Sequence, residues 1–312
     1  MRTCNAVYVD KTEFIPLLQE TAKFIFCARP RRFGKTLLLE TLDDYYSGKK
    51  LLFQDLAIEN SMRSPNFVTD PVIKLDMTSA GGSDSIELLK RTLYETVSLA
   101  TKNNNISLRD DDPAASLFCL ISDIYNATGK TVVLLIDEYD APLISLLRTD
   151  NFSDPKHFSV DDELFSKTHR VVERFYSQIK PSENRLELVF ITGVTKFPGL
   201  GIFSKITNLF DISIMTKFST LMGFTQKELE SNYIYFIDSI VKESKMQKDE
   251  LLKMIRNYYN GFSFDGVARL YNPESINLYF TMQQFFNFCL KGGTQDLLKK
   301  FLHDKIITVD QF

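Results

Sequence analysis

The chain has 312 residues, of which 44% are hydrophobic and 25% charged, and its formal net charge is −3. That length can bury a large core and divide into two domains, and the composition is that of an ordinary globular protein. The near-neutral charge excludes a globally basic, nucleic-acid-coating protein. With no membrane-length apolar run and no signal peptide, a reducing cytoplasmic setting is expected.

Cys4, Cys27, Cys119 and Cys289 are scattered without a C-x-x-C pair, and His157, His169 and His303 stand in unrelated contexts. Neither a disulfide framework nor a His/Cys metal centre is expected. There is no Trp, but 26 Phe and 13 Tyr, so aromatic core volume comes chiefly from Phe.

From the N-terminus, Tyr8-Val9-Asp10-Lys11-Thr12 leads into an apolar stretch, and Phe24-Ile25-Phe26-Cys27 reads as a short buried strand. Ala28 to Thr36 follows as A-R-P-R-R-F-G-K-T. Leu37, Leu38, Leu39, Leu42 and Tyr45 then form the apolar face of a helix that ends near Gly48. Strand, loop and helix in that order make a phosphate loop. Such a loop aims backbone N–H groups at phosphate, reaches the outer oxygens with a Lys and meets Mg2+ with a hydroxyl. Gly34, Lys35 and Thr36 supply those parts. The loop departs from the pattern G-x-x-x-x-G-K-[ST] at its first glycine, where this chain has Arg29 followed by Pro30. Proline biases the preceding residue towards an extended backbone and fixes its own φ, so the same turn is made by a stiffer chain. Pro30 has no N–H, which leaves Arg32, Phe33, Gly34, Lys35 and Thr36 as the phosphate donors. Arg29, Arg31 and Arg32 contact nucleotide phosphate, a neighbouring subunit or an acidic strand end in one reading; in the other they are solvated.

Val72-Ile73-Lys74-Leu75-Asp76 is a second strand, and Ser85 to Leu99 and Ala114 to Tyr125 are helices. Between these helices, Lys102 to Pro113 reads as a surface loop, with Asp110-Asp111-Asp112 a solvated run before a helix start. Val132-Val133-Leu134-Leu135-Ile136-Asp137-Glu138 is an apolar run of buried-strand length ending in two acids. Asp137 with Thr36 suits a Mg2+ site, and Glu138 suits the acid that orients and deprotonates an attacking water. Asp140 reads as a cap for a helix near Pro142. Leu146 to Asp162 is looser, Glu163 to Ile179 is helical, and Leu186 to Thr192 is a strand running into Gly193-Val194-Thr195-Lys196. Thr192 or Thr195 could sense a γ-phosphate there, with Lys196 adding positive charge; the alternative is a polar strand exit. Phe210 to Met215 is the last strand of this series. Strands alternating with helices imply an α/β fold with a mainly parallel sheet flanked by helices, whose ligands gather at the carboxyl ends of the strands.

From about Leu221 the character changes. Thr225-Gln226-Lys227-Glu228 has capping-box spacing, with Leu229, Tyr233, Phe236, Ile237 and Ile240 following at helical spacing. Leu251 to Tyr259 is a second helix stopped by Asn260-Gly261, Phe262 to Tyr271 a small hairpin, and Pro273 opens a helix over Glu274 to Phe288. This is a small helical or winged-helix-like domain. The expected division is an ATPase core over 1–220, this domain over 221–291 and a tail over 292–312.

The chain resembles the predicted AAA-ATPase-like family of bacterial and archaeal P-loop proteins. The matching landmarks are the Tyr8 to Thr12 segment, Arg29-Pro30-Arg31-Arg32-Phe33-Gly34-Lys35-Thr36, Leu135-Ile136-Asp137-Glu138-Tyr139-Asp140 and Ile191-Thr192-Gly193-Val194-Thr195-Lys196-Phe197. Leu221-Met222-Gly223-Phe224-Thr225 and Tyr259-Asn260-Gly261-Phe262-Ser263-Phe264 continue the series. The resemblance implies a P-loop core of the ASCE type, binding ATP and Mg2+ through the residues above, with Tyr8 and Asp10 near the nucleotide. Longer members carry a nuclease-like domain of the PD-(D/E)XK type, which would be expected to begin beyond Phe312. Glu243-Ser244-Lys245 lies at a helix end and reads as a chance match to its E-x-K.

The expectation is therefore a Mg2+-dependent ATPase coupled to its C-terminal domain, with a slowly hydrolysing nucleotide switch as the alternative. From Leu221 to Phe312, eleven Lys and Arg face eleven Asp and Glu. That balance favours a protein partner or self-association over nucleic acid, whose usual footprint is a basic face.

Overall fold

The computed structural model describes residues 7–286 apart from 64–66, 105, 109, 148–161, 197–205 and 207. Asp154-Pro155, Cys4, Cys289, His157, His303 and the expected tail lie outside the described residues. The chain divides into two compact units. One comprises Ile15–Arg29 and Lys35–Ile212; the other comprises Met1–Phe14, Pro30–Gly34 and Ser213–Phe312.

In chain order the first part carries α1 (Phe14–Thr21), β1 (Phe24–Ala28), α2 (Lys35–Tyr46), α3 (Glu59–Arg63), β2 (Val72–Asp76), α4 (Ile86–Asn103) and α5 (Pro113–Thr128). It continues with β3 (Val132–Asp137), α6 (Ala141–Ile144), α7 (Asp162–Tyr176), β4 (Leu186–Gly193) and β5 (Phe210–Asp211). The five strands form one parallel sheet in the order β2-β3-β4-β1-β5. Parallel strands are covered on both faces and so read as unbroken apolar runs. All six residues of β3 are buried. On one face Phe24, Phe26, Ile73, Leu75, Leu134, Ile136, Val189 and Ile191 pack with Leu93, Val97, Leu117, Ile121, Phe175 and Tyr176 from α4, α5 and α7. Alternation along the strands sends Ile25, Val133, Leu135 and Phe190 to the other face. Strand β4 sits between β1 and β3, so the residues ending those three strands are neighbours.

The expected elements of this unit are present with small changes of boundary. Helix α4 runs on to Asn103, into the stretch expected as loop, and Asp112 caps α5 by accepting the Ala115 N–H at 3.0 Å. The strand expected over Phe210 to Met215 shortens to Phe210–Asp211, because the chain already turns at Ser213 and Ile214, ahead of a 3-10 turn at Thr216–Phe218. Helix α1 was not expected; Phe14, Ile15 and Leu18 bury its apolar side.

The second unit holds α8 (Gln226–Asn232), α9 (Ile234–Ser244), α10 (Lys248–Tyr259), the antiparallel pair β6 (Asn260–Phe262) and β7 (Leu270–Tyr271), and α11 (Pro273–Met282). Thr225 and Glu228 form the expected capping box. The helix expected through Leu229 to Ile240 is instead two helices, broken at Tyr233. That ring stacks on Phe280 at 4.8 Å and its hydroxyl donates to Asn277 Oδ1 at 2.5 Å. Tertiary packing here overrides an unbroken helical pattern. Leu229, Ile237, Leu251, Ile255, Tyr259, Tyr271, Ile276 and Tyr279 form the core of the unit.

Leu134 is fully buried in the interior strand β3, whereas Leu51 is 79% exposed. Leu134→Ala is expected to cost about 2–5 kcal/mol in urea unfolding. Leu51→Ala should stay within about 0.5 kcal/mol of wild type.

Candidate functional site

Lys35 and Thr36 open α2 directly after the Gly34 turn, where a helix N-terminus presents unpaired N–H groups. Lys35 is only 3% exposed. Its Nζ lies 3.2 Å from Glu138 Oε1 and donates to the Arg29 carbonyl at 3.1 Å. The Thr36 hydroxyl donates to Asp137 Oδ2 at 2.6 Å. Asp137 Oδ1 accepts the Thr192 hydroxyl at 2.6 Å and the Glu138 N–H at 3.0 Å. Thus Lys35, Thr36, Asp137, Glu138 and Thr192 converge at the carboxyl ends of β1, β3 and β4. These donors satisfy a buried carboxylate that would otherwise be costly.

Glu138 has φ of 49°, and Arg32 and Gly34 have φ of 64° and 96°. Non-glycine residues rarely adopt this region, and such residues cluster at functional sites. At Gly34 an added Cβ would meet nothing within 4 Å, so the backbone lies open there. Arg29 donates its N–H to the Gly193 carbonyl at 3.0 Å, extending the β1–β4 ladder as the Pro30 constraint predicts. Its side chain is 1% exposed and donates from Nη1 to the Ala28 carbonyl at 2.8 Å. The solvated-surface reading therefore fails for Arg29.

The segment after β4 is held by the segment after β3. Tyr139 donates its N–H to the Thr192 carbonyl at 2.9 Å and its hydroxyl to the Thr195 carbonyl at 2.9 Å. Asp140 Oδ2 accepts the N–H groups of Val194 at 3.0 Å and Thr195 at 3.1 Å. The Tyr176 hydroxyl donates to the Tyr139 carbonyl at 3.0 Å. Asp140 stands at the N-cap of α6, but its side chain makes no cap hydrogen bond there, which corrects the capping role read from the sequence. Sequence reasoning also missed Tyr139 and Tyr176, because nothing local marks a phenol that reaches a carbonyl 56 or 37 residues away. Thr195, expected to sense phosphate, is held through both of its peptide groups. Lys196 pairs with Asp211 at 3.0 Å.

Within the second unit, Phe33 packs edge-on to Phe262 at 4.9 Å and Phe264 at 5.3 Å. A Cβ on Gly223 would lie 2.5 Å from the Phe33 ring. Asn272 Nδ2 donates to the Arg31 carbonyl at 3.3 Å, and Arg32 pairs with Glu274 at 3.4 Å. Thus a side chain of the expected phosphate loop is an aromatic anchor. The motifs around Gly223 and Phe262 to Phe264 were the available signal for it. Asp10 Oδ1 accepts both the N–H and the hydroxyl of Thr12, and Lys11 pairs with Glu228 at 2.5 Å while donating to the Thr220 carbonyl at 2.8 Å. Burial lowers the Lys11 pKa against the pull of Glu228. The Tyr8 to Thr12 segment is accordingly a tied part of this unit.

Burial pushes the Asp140 carboxyl up to about 7, with Glu138 adding to the shift and the Thr195 and Val194 N–H groups opposing it. Unfolded, the same group ionises near the ordinary aspartate value of about 4. Its contribution to stability is therefore fully present below that value and is lost as pH rises through about 7. From pH 5 to pH 8 the wild type should lose on the order of 1–3 kcal/mol more than Asp140→Asn, measured by urea unfolding.

Comparison with known proteins places this geometry in context. A curated protein of Azotobacter chroococcum, named an uncharacterized protein in the vnfD 5′ region, is 29% identical over 298 residues, covering 96% of this chain and 53% of that protein. Mediator of RNA polymerase II transcription subunit 5 of Saccharomyces cerevisiae is 26% identical over 242 residues, covering 76% of this chain and 19% of that protein. The chain thus spans about half the length of the first of these relatives and about a fifth of the second. The model of the family described as Predicted AAA-ATPase matches residues 1–203, which include both acids at the end of β3 and the whole of β4. On that match, the chain belongs to the predicted AAA-ATPase family.

Proposed function

We propose that the protein is a Mg2+-dependent ATPase whose nucleotide state is coupled to its second unit. The observation that carries this reading is the pairing of Thr36 with Asp137 at 2.6 Å beside that of Lys35 with Glu138 at 3.2 Å. A hydroxyl and a carboxylate are hard oxygen donors that suit Mg2+, which keeps waters and phosphate oxygens as its other ligands. The open backbone at Gly34 suits a phosphate group at the start of α2.

In this reading Thr36 and Asp137 hold the metal, and Thr192 orients Asp137 through Oδ1. When bound, Mg2+ offsets charge on the phosphate oxygens. Lys35 exchanges Glu138 for the outer phosphate oxygens of ATP. Glu138, released from that ion pair, orients a water and takes its proton as the water oxygen bonds to the γ-phosphorus and the bond to the ADP oxygen breaks. Arg32, Phe33, Gly34, Lys35 and Thr36 supply backbone N–H groups to phosphate, Thr195 senses the γ-phosphate, and Tyr8 and Asp10 serve the nucleotide from the N-terminal segment.

The coupling is supported by the packing of Phe33 on Phe262 and Phe264, the Asn272 hydrogen bond to the Arg31 carbonyl and the exposed Arg32–Glu274 ion pair. Chain continuity from Gly34 to Lys35 carries a change at the phosphates into that packing. We read the ATPase core as extending to about residue 220 and the helices and β6–β7 pair beyond it as a winged-helix-like domain for a protein partner or a second copy, in the cytoplasm. With balanced charge, that domain is expected neither to cut DNA nor to bind it tightly. A second reading, a nucleotide-binding switch that hydrolyses slowly, is favoured by the Lys35–Glu138 ion pair, which engages the general base. Steady-state phosphate release by the purified protein separates the two.

Lys35→Ala is expected to abolish tight ATP binding, because it removes the cation for the outer phosphates. Glu138→Gln should bind ATP with wild-type affinity and turn over about 100-fold more slowly or worse, since it removes a group used only in the chemical step. Wild-type turnover by Glu138→Gln would disprove the assignment of the base.

If Arg31 and Arg32 serve the nucleotide or an adjacent subunit, replacing both by Ala should cut turnover at least about tenfold, equivalent to roughly 1.4 kcal/mol of activation free energy or more, with the melting temperature preserved. Unchanged kinetics would return both to solvated surface.

A further inference from the structure

We infer that Asp140 is a positioning residue for turnover: it clasps the peptide N–H groups of Val194 and Thr195 and so sets the segment that senses the γ-phosphate. The inference rests on the ATPase reading and names a residue to which that reading gives no part.

The segments Asp137-Glu138-Tyr139-Asp140 and Thr192-Gly193-Val194-Thr195 interlock residue by residue. Thr192 donates to Asp137, Tyr139 holds the carbonyls of Thr192 and Thr195, and Asp140 accepts the N–H groups of Val194 and Thr195. Both peptide groups of Thr195 are therefore fixed by the two residues that follow the candidate base, which leaves its side chain as the variable part. The approach is close. A Cβ on Gly193 would fall 2.5 Å from the Tyr139 ring and 2.7 Å from Asp140 Oδ1, so no larger residue fits there. Asp140, Tyr139 and Tyr176 are all fully buried, and the Tyr176 hydroxyl pins the carbonyl of Tyr139. A carboxyl group is expensive to bury, and the Val194 and Thr195 N–H groups are among the backbone donors that offset the cost. A helix cap would explain its place in the chain, yet its side chain makes no cap bond. Because Asp140 lies three residues beyond Asp137 on one continuous turn, a shift of either segment displaces the other. That makes the clasp a means of setting Thr195 relative to Glu138.

The test uses the full chain. Asp140→Asn keeps the shape and removes the charge; it is compared with wild type for hydrogen exchange at residues 194 and 195, affinity for a non-hydrolysable ATP analogue, and phosphate release. Exchange at those two amides should accelerate at least tenfold and kcat fall at least tenfold, with analogue affinity within threefold. Thr195→Val should lower kcat too, and the double variant should be no slower than the worse single one, because both changes act on one segment. A merely structural Asp140 would shift stability without that non-additivity. If Asp140→Asn does not fold, Tyr139→Phe, which frees the Thr195 carbonyl, is measured in the same way. Unchanged exchange at 194 and 195 overturns the clasp. Accelerated exchange with wild-type kcat, or a loss confined to analogue affinity, overturns the positioning role while the ATPase reading stands. Absence of turnover in the wild type overturns both.

Discussion

The carboxylate of Asp137 is the interaction on which the arrangement depends. It ends β3, accepts the hydroxyls of Thr36 and Thr192 at 2.6 Å each, and takes the N–H of the residue that follows it. A buried carboxylate left without donors would cost several kcal/mol, and these partners offset that cost. The Thr192 hydroxyl reaches Asp137 because β4 lies beside β3 in the sheet. Sheet order is thus the physical condition for the site.

Around that carboxylate the chain accepts backbone strain. Glu138 sits at φ of 49°, a conformation that costs a residue with a Cβ on the order of 1 kcal/mol. The turn it makes sends the Glu138 side chain towards Lys35 and the Tyr139 N–H towards the Thr192 carbonyl. One strained residue therefore separates two jobs. The side chain of residue 138 serves the cation, while residues 139 and 140 turn back to hold the end of β4. Glycine at 193 is needed for close approach, not for an unusual φ.

The loop A-R-P-R-R-F-G-K-T divides its work in a similar way. Lys35 and Thr36 belong with the sheet, where they meet Glu138 and Asp137. Phe33 belongs with the aromatic rings of the second unit, against Phe262 and Phe264. Aromatic pairs at these separations add to the area they bury, so Phe33 is an anchor as well as a spacer. A glycine in place of Arg29 would ease the turn; the Arg-Pro pair instead extends the β1–β4 ladder by one bond and turns later.

Much of this was legible in the residues alone. Apolar runs ending at Cys27, before the loop to Lys35-Thr36, at Asp137-Glu138 and at Thr192 could be read as parallel strands because burial on both faces leaves that pattern. The Thr225–Glu228 capping box and the Asn260 helix stop are local, so they too were visible. The break at Tyr233 was not, since the ring packing that causes it comes from α11. Nor was the task of Asp140. An acid just before Ala141-Pro142 has the local chemistry of a helix cap, and sequence offers no sign that two N–H groups from residues 54 and 55 positions away will reach it first. The sequence by itself determined which groups are available, since hydroxyls, carboxylates and apolar runs are properties of residues. Only the tertiary structure decided which donor meets which acceptor, because that choice depends on strand order and register, which bring distant segments within hydrogen-bonding distance.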